Sequence, residues 1–170
     1  MIKILLSIFL VLIVTAQLFA INLTGNSGFA IPLGSWSDEH NSGKYFSFGS
    51  DILKKHYIAL STSFDVSTFS GKINSNYHFQ CFSTGCGVKF YPLYFIKNSN
   101  LFTNVSLSYN FMERQLHSVT EKGNDLAFHS LIGAEFKIGN NWIISMNFGE
   151  RHFFGGIDML TIGAGLGYNR

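Results

Sequence analysis

From Ile21 to the end of the chain, apolar and polar residues alternate one by one in short stretches separated by turn-rich breaks, and no stretch shows a helical recurrence. In the first, Ile21, Leu23, Phe29 and Ile31 share one parity, with Asn22, Thr24, Asn26 and Ala30 on the other. Phe46, Phe48 and Ile52 then oppose Tyr45, Ser47, Gly49 and Asp51, and Ile58, Leu60, Phe64 and Val66 oppose Ala59, Ser61, Ser63 and Asp65. A fourth stretch sets Phe82, Val88 and Phe90 against Ser83, Gly85, Gly87 and Lys89; a fifth sets Leu101, Val105, Leu107, Tyr109 and Phe111 against Asn104, Ser106, Ser108 and Asn110. The sixth places Phe128, Ile132, Phe136 and Ile138 opposite His129, Gly133, Glu135 and Lys137. Trp142, Ile144, Met146 and Phe148 oppose Ser145, Asn147, Gly149 and Arg151, and Leu160, Ile162, Leu166 and Tyr168 oppose Thr161, Gly163, Gly165 and Gly167. The pattern predicts an all-β chain with an even number of strands.

The breaks differ in kind. Those at 54–56 and 139–141 are tight, whereas 32–43, 70–76 and 114–125 are longer and polar; the break at 92–100 is long where the alternation calls for a short one. Short turns at one end and long loops at the other are what an up-and-down membrane barrel shows.

Alternation alone does not say which face points outward, because a soluble ligand-carrying barrel alternates with the opposite polarity. Composition decides. Only 13% of residues are charged and 16% are aromatic, about half the usual charged fraction of a soluble domain. The polar face carries Ser, Asn, Thr and Gly rather than the Lys and Glu of a solvated surface, which suits the crowded lumen of a narrow barrel. Backbone groups unpaired in hydrocarbon are costly, so a sheet wetted by lipid must close. The expectation is an eight-stranded antiparallel up-and-down transmembrane β-barrel over residues 21–170, with Phe64, Leu107 and Ile144 outside and Ser63, Ser106 and Ser145 inside. Phe46, Phe64, Tyr109, Phe128 and Phe148 fall toward the loop ends and Phe90, Phe136, Trp142 and Tyr168 toward the turn ends, as two aromatic girdles.

Residues 1–20 have an early cation at Lys3, an apolar run and two small-residue exits ending at Ala16 and Ala20, the layout of a cleaved export signal. The net charge of +2 comes from scattered Lys and Arg, which argues against nucleic-acid binding. The 2 cysteines, Cys81 and Cys86, fall on opposite faces of one strand, roughly 17 Å apart by strand rise, out of reach of a disulfide. Two cysteines do not make a zinc site, and no cofactor is expected.

Ionisable residues of lumen parity form two sets: Asp51, Lys89, Glu135 and Lys137 toward the turn end, and Asp65, His129 and Arg151 toward the loop end. Enclosed charges must be paired or hydrated, so a Lys89–Glu135 contact is expected. The set reads as a structural polar plug in preference to an ion path or gate, and the narrow lumen argues against a diffusion porin. Outside these sets, Arg151-His152-Phe153-Phe154-Gly155-Gly156-Ile157-Asp158 stands at the junction of the last two strands.

In its layout the chain resembles the small bacterial outer-membrane β-barrels of the outer membrane protein A and X type. The terminal Thr161-Ile-Gly163-Ala-Gly-Leu166-Gly-Tyr168 is similar to the insertion signal of such barrels, except that Asn169 and Arg170 follow the aromatic. The resemblance implies export to the bacterial outer membrane as a monomer through the insertion machinery, and contact with outer-membrane lipids and lipopolysaccharide. It also implies a non-enzymatic structural or surface-interaction role, with loops available to an extracellular ligand. Two other readings stay open. The segment at His152 is similar to a region of outer-membrane lipid A deacylases in which a catalytic His is followed two positions later by Ser, but Phe154 holds the Ser position, leaving Ser130 or Ser118 as the nucleophile. The third reading is a soluble periplasmic lipocalin-like carrier.

Overall fold

Side chains that alternate across a pleated sheet give it one apolar and one polar face, and closing the sheet leaves no edge to satisfy. A computed structural model describes residues 22–169 apart from 56, 73–76, 97–98 and 117–118; the expected export signal lies outside the described residues. The strands are β1 (Asn22–Leu33), β2 (Gly43–Lys55), β3 (Ile58–Ser70), β4 (Tyr77–Ile96), β5 (Ser99–Leu116), β6 (Val119–Ile138), β7 (Trp142–Phe153) and β8 (Asp158–Asn169), with one helical turn, α1 (Trp36–Glu39), between β1 and β2. Each strand pairs antiparallel with the next, and β1 pairs with β8 from Asn22↔Asn169 to Leu33↔Asp158, closing the barrel.

The polarity is that of a membrane protein. Phe64 and Leu107 are 42% and 48% exposed on the outer wall, while Ser106 and Ser145 inside are 7% and 3% exposed. Ile144 and Ser63, both partly buried, keep the expected parity. This arrangement is the reverse of a soluble carrier, whose apolar residues line the interior. All nine aromatics assigned to girdles are exposed on the outside. At the turn end Trp142 and Tyr168 meet edge to face at 5.5 Å, and Asn141 Nδ2 donates to the Tyr168 hydroxyl at 3.2 Å. At the loop end Tyr109 packs on Phe111 at 4.8 Å and its hydroxyl meets Asn124. Such rings keep an apolar body in lipid and a polar tip in water.

Several local expectations are corrected. The 92–100 break is mostly strand: β4 runs to Ile96 and β5 begins at Ser99, with register shifts after Phe90 and Leu93, so the connection is short. Residues 114–125 belong largely to a β5–β6 hairpin that continues the ladder to Leu116↔Val119; polar composition marks strand leaving the bilayer as well as it marks loop. In β2 a bulge between Asp51 and Leu53 shifts the parity, so Leu53 takes the outward place expected of Ile52 and Lys54 turns inward. Gly139, at φ 65°, makes the tight β6–β7 turn, a conformation that costs other residues more.

Candidate functional site

The lumen is filled in three layers. At the turn end Lys89 (β4) reaches across the barrel to Glu135 (β6), and its Nζ lies 3.7 Å from the Asp51 carboxylate (β2). Asn22 Nδ2 donates to Asp51 Oδ2 at 3.0 Å, and the Tyr91 hydroxyl donates to the same oxygen at 3.1 Å and lies 3.5 Å from both oxygens of Glu135. Lys54 places its ammonium 4.0 Å above the Tyr91 ring, and Lys89 sits 4.1 Å above Phe102. Asp51, Lys89, Glu135 and Tyr91 are all buried. Two carboxylates thus meet two ammonium groups around one phenol. Lys137, expected in this set, is instead exposed: it has the parity of Glu135 but lies two residues nearer the β6–β7 turn, past the rim.

Above this layer a polar cavity of about 80 Å³ is lined by residues such as Asn26, Ser47, Thr62, Asn104 and His129. That space accommodates on the order of five waters and no larger solute. Its far side is closed by Arg151 (β7), which donates to Asp65 (β3) at 2.6 Å and to Ser83 (β4) at 2.8 Å; Ser83 in turn donates to Asn110 at 2.5 Å. His129 lies beside this pair, its ring accommodated by Gly149, where a Cβ would stand 2.9 Å from Nε2.

The third layer, at the loop end, departs from the expected polar lining. Tyr45, Phe69, Phe79, Phe153 and Met159 form an apolar cluster inside the barrel, and Trp36 of α1 enters it. The Trp36 ring lies 4.7 Å from Phe69, 5.2 Å from Phe79 and 4.6 Å from His40. The connection read as one of the longer, polar breaks is therefore a plug. Gly34, at φ 58°, turns the chain inward, and Lys72 fastens it through its backbone to Glu39 at 2.9 Å and its ammonium to the Ser37 carbonyl at 2.5 Å. Sequence reasoning missed Trp36, Tyr91 and Lys54; the signal for Trp36 was a lone tryptophan in a polar stretch.

His40 is buried beneath the plug, and its Nδ1 donates to the Trp36 carbonyl at 3.3 Å. Burial pushes its pKa below the ordinary 6.5; the nearby Arg114 adds to this, while the Trp36 hydrogen bond and Glu39 oppose it. The folded cap therefore favours neutral His40, whereas the released loop takes up a proton near the ordinary value. Docking is complete above pH 6.5 and weakens as the pH falls below it. With Trp142→Phe leaving Trp36 as the single tryptophan, its emission is expected to shift red between pH 8 and 5, and His40→Gln to flatten that response; an unchanged titration in His40→Gln removes the assignment.

Outside the barrel, His152 pairs with Asp158 at the exposed loop end of β7 and β8. His152 and Asp158 are a titratable pair, and among the described residues no hydroxyl is hydrogen-bonded to the His152 ring. Ser118 lies outside the described residues. Cys81 is buried and Cys86 exposed, both as free thiols. Among the described residues no group of three or more His, Cys, Asp or Glu side chains is placed to hold a metal ion. In β8, Thr161 is buried and Leu166 and Tyr168 face outward. A Cβ on Gly163 would come within 2.0 Å of the Tyr45 hydroxyl, which donates to Asn147 at 2.6 Å, so this glycine has a packing reason of its own.

The remaining feature of the loop end is a projecting sheet. β3, β4, β5 and β6 stay paired to Ser70↔His78, Tyr77↔Leu116 and Leu116↔Val119, while β7 joins β6 only from Ala127 onward. Residues 119–124 of β6 thus form an edge unpaired by β7 among the described residues. The β7–β8 connection meets its base, where Phe154 N donates to the Leu126 carbonyl at 2.9 Å and Gly155 N donates to the Asp125 carboxylate at 2.6 Å.

No protein-family model and no curated protein matches the chain. Solved structures do. Neisserial surface protein A is 12% identical, with a TM-score of 0.68 over 88% of this chain and 96% of that one. OprG, an outer membrane protein of Pseudomonas aeruginosa, is 8% identical, with a TM-score of 0.63 over 89% and 97%. Ail, the attachment invasion locus protein of Yersinia pestis, in a complex with the heparin analogue sucrose octasulfate, is 14% identical, with a TM-score of 0.56 over 89% and 97%. The apolar outer wall, the packed lumen and these likenesses together show that the chain has the eight-stranded antiparallel fold of the small bacterial outer-membrane β-barrels.

Proposed function

We propose that this protein is a non-enzymatic barrel of the bacterial outer membrane whose β5–β6 hairpin, running on past the end of β7, makes contacts beyond the cell surface. The observation that supports it is the edge of β6 over residues 119–124, which β7 does not pair. An unpaired strand edge offers a row of backbone donors and acceptors to an extended segment of another protein. The interior is packed in three layers, with a polar cavity of about 80 Å³ between them. Ail is named for attachment and invasion, and Neisserial surface protein A for the cell surface. On this reading the chain is exported by residues 1–20 and inserts as a monomer through the barrel-insertion machinery, with Thr161, Gly163, Leu166 and Tyr168 as the recognised strand.

The test shortens the hairpin by replacing residues 113–122 with an Asn-Gly turn. Heat-modifiable migration on a gel reports whether the barrel still forms, and adhesion of expressing cells to a serum-protein-coated surface reports contact. The expected result is an intact barrel with adhesion lost; adhesion equal to the full-length chain overturns the proposal. His152→Ala is expected to leave the acyl content of lipid A in expressing cells unchanged from the parent chain, and both to equal the empty-vector control. A change in acyl content on expression that disappears with His152→Ala overturns the non-enzymatic reading.

A further inference from the structure

The seat of Trp36 is built by strands, and its occupant is carried by a connection. Phe69 (β3), Phe79 (β4), Ala127 (β6), Phe153 (β7) and Met159 (β8) come from five strands of the closed ladder, and each is 3% exposed or less. Phe69 and Phe79 are direct cross-strand partners, as are Ala127 and Phe153, so the ladder fixes their places independently of what fills the mouth. Trp36 stands on α1, four residues long, whose N-cap Ser35 makes no side-chain capping bond. A helix of that length has no stability of its own. Its attachments to the wall include those of Lys72 and the Asn41 N–H, which donates to the Ser70 carbonyl at 2.9 Å.

The fit is incomplete in its polar atoms. Trp36 is 5% and His40 1% exposed, yet the indole N–H and His40 Nε2 have no hydrogen-bond partner among the described residues. A buried donor or acceptor left unmet offsets part of what burying the ring gains. In the released connection both groups would be hydrated. The docked plug therefore gives up polar satisfaction in order to cover an aromatic seat, and a ring that takes its place lets the plug recover it.

We infer that the loop-end mouth of the barrel is a binding site for a planar aromatic molecule of indole size, and that Trp36 is the internal ligand such a molecule displaces. Phe69 and Phe79 meet the Trp36 ring at interplanar angles of 61° and 76°, an edge-to-face arrangement that favours an aromatic ring over a saturated one. The loop ends of such barrels face outward, so the molecule reaches the seat without crossing the wall. Beneath the seat Arg151 and Asp65 close the lumen, which makes the mouth a place of binding and not a passage. The inference does not rest on the contacts proposed for the β5–β6 hairpin.

The experiment places the full chain in phospholipid nanodiscs, with a fluorinated indole as probe and fluorine NMR as readout; empty nanodiscs give the signal of probe dissolved in lipid. Trp36→Ala is expected to show a further resonance that saturates and is displaced by unlabelled indole. The parent chain is expected to need at least about tenfold more probe, because the plug must leave first, and to become protease-sensitive over residues 34–42 as the site fills. Adding Phe69→Leu or Phe79→Leu to Trp36→Ala is expected to weaken binding about three- to tenfold, the scale of one aromatic pair lost. Decalin, of similar size but without an aromatic face, is expected to compete less well than indole by the same factor. No saturable resonance in Trp36→Ala, undiminished binding in the phenylalanine variants, equal competition by decalin, or filling in the parent chain with residues 34–42 still protected each overturns the inference. Heat-modifiable migration verifies the barrel in every variant, so loss of the fold is distinguished from loss of the site.

Discussion

Lys89→Met is expected to destabilise the barrel by about 3–5 kcal/mol, the cost of stranding buried charge by removing one partner. The substitution keeps the length and apolar body of the side chain, so its effect is electrical. Without the ammonium, Asp51 and Glu135 face each other across the Tyr91 hydroxyl, both buried, with Lys54, its ammonium over the Tyr91 ring, as the cation left in the layer. Removing Glu135 instead is milder, because Lys89 keeps Asp51 at 3.7 Å. The double variant Lys89→Met/Glu135→Gln recovers much of the loss, since one carboxylate then has Asn22 and Tyr91 as donors. Urea unfolding in detergent micelles, followed by heat-modifiable migration, checks the order: Lys89→Met least stable, Glu135→Gln and the double variant between it and the parent. A double variant as unstable as Lys89→Met assigns the loss to packing and refutes the charge argument.

Trp36→Ala is expected to cost about 3 kcal/mol or more, the usual range for deleting a large aromatic from a packed interior. Trp36 is buried against Phe69, Phe79 and His40, and α1 has only four residues, too short to hold its shape without that anchor. The strands below keep their ladder, so the loss is local: residues 34–42 become sensitive to protease added to intact cells while the barrel still migrates as folded. If protease sensitivity and unfolding midpoint both match the parent chain, the plug contributes nothing and α1 rests on the mouth without sealing it.

The parity of Phe64 and Ser63, of Leu107 and Ser106, and of Met146 and Ser145 is legible in the chain because a strand's side-chain period is two and needs no partner to define it. The lumen partners are another matter. Lys89 and Glu135 stand on β4 and β6, and Asp65 and Arg151 on β3 and β7, so they meet across a cylinder and not along a ladder. Lys54 was hidden by the bulge after Asp51, which reverses parity without a mark in composition. Tyr91 was hidden by Pro92, which reads as the end of a strand that in fact continues to Ile96. Trp36, Phe69, Phe79 and Phe153 lie at or beyond the ends of the alternating stretches, where nothing local tells an inward aromatic from an exposed one.

By itself, then, the chain determined that eight strands close with lipid outside and small polar groups within, since both the period and the scarcity of charge are local properties. Only the tertiary structure decided which charges pair across the lumen, that the first long connection turns back to seal the mouth, and that β5 and β6 run on past the end of β7. Those features depend on strand tilt, register and closure, which bring together residues far apart in sequence.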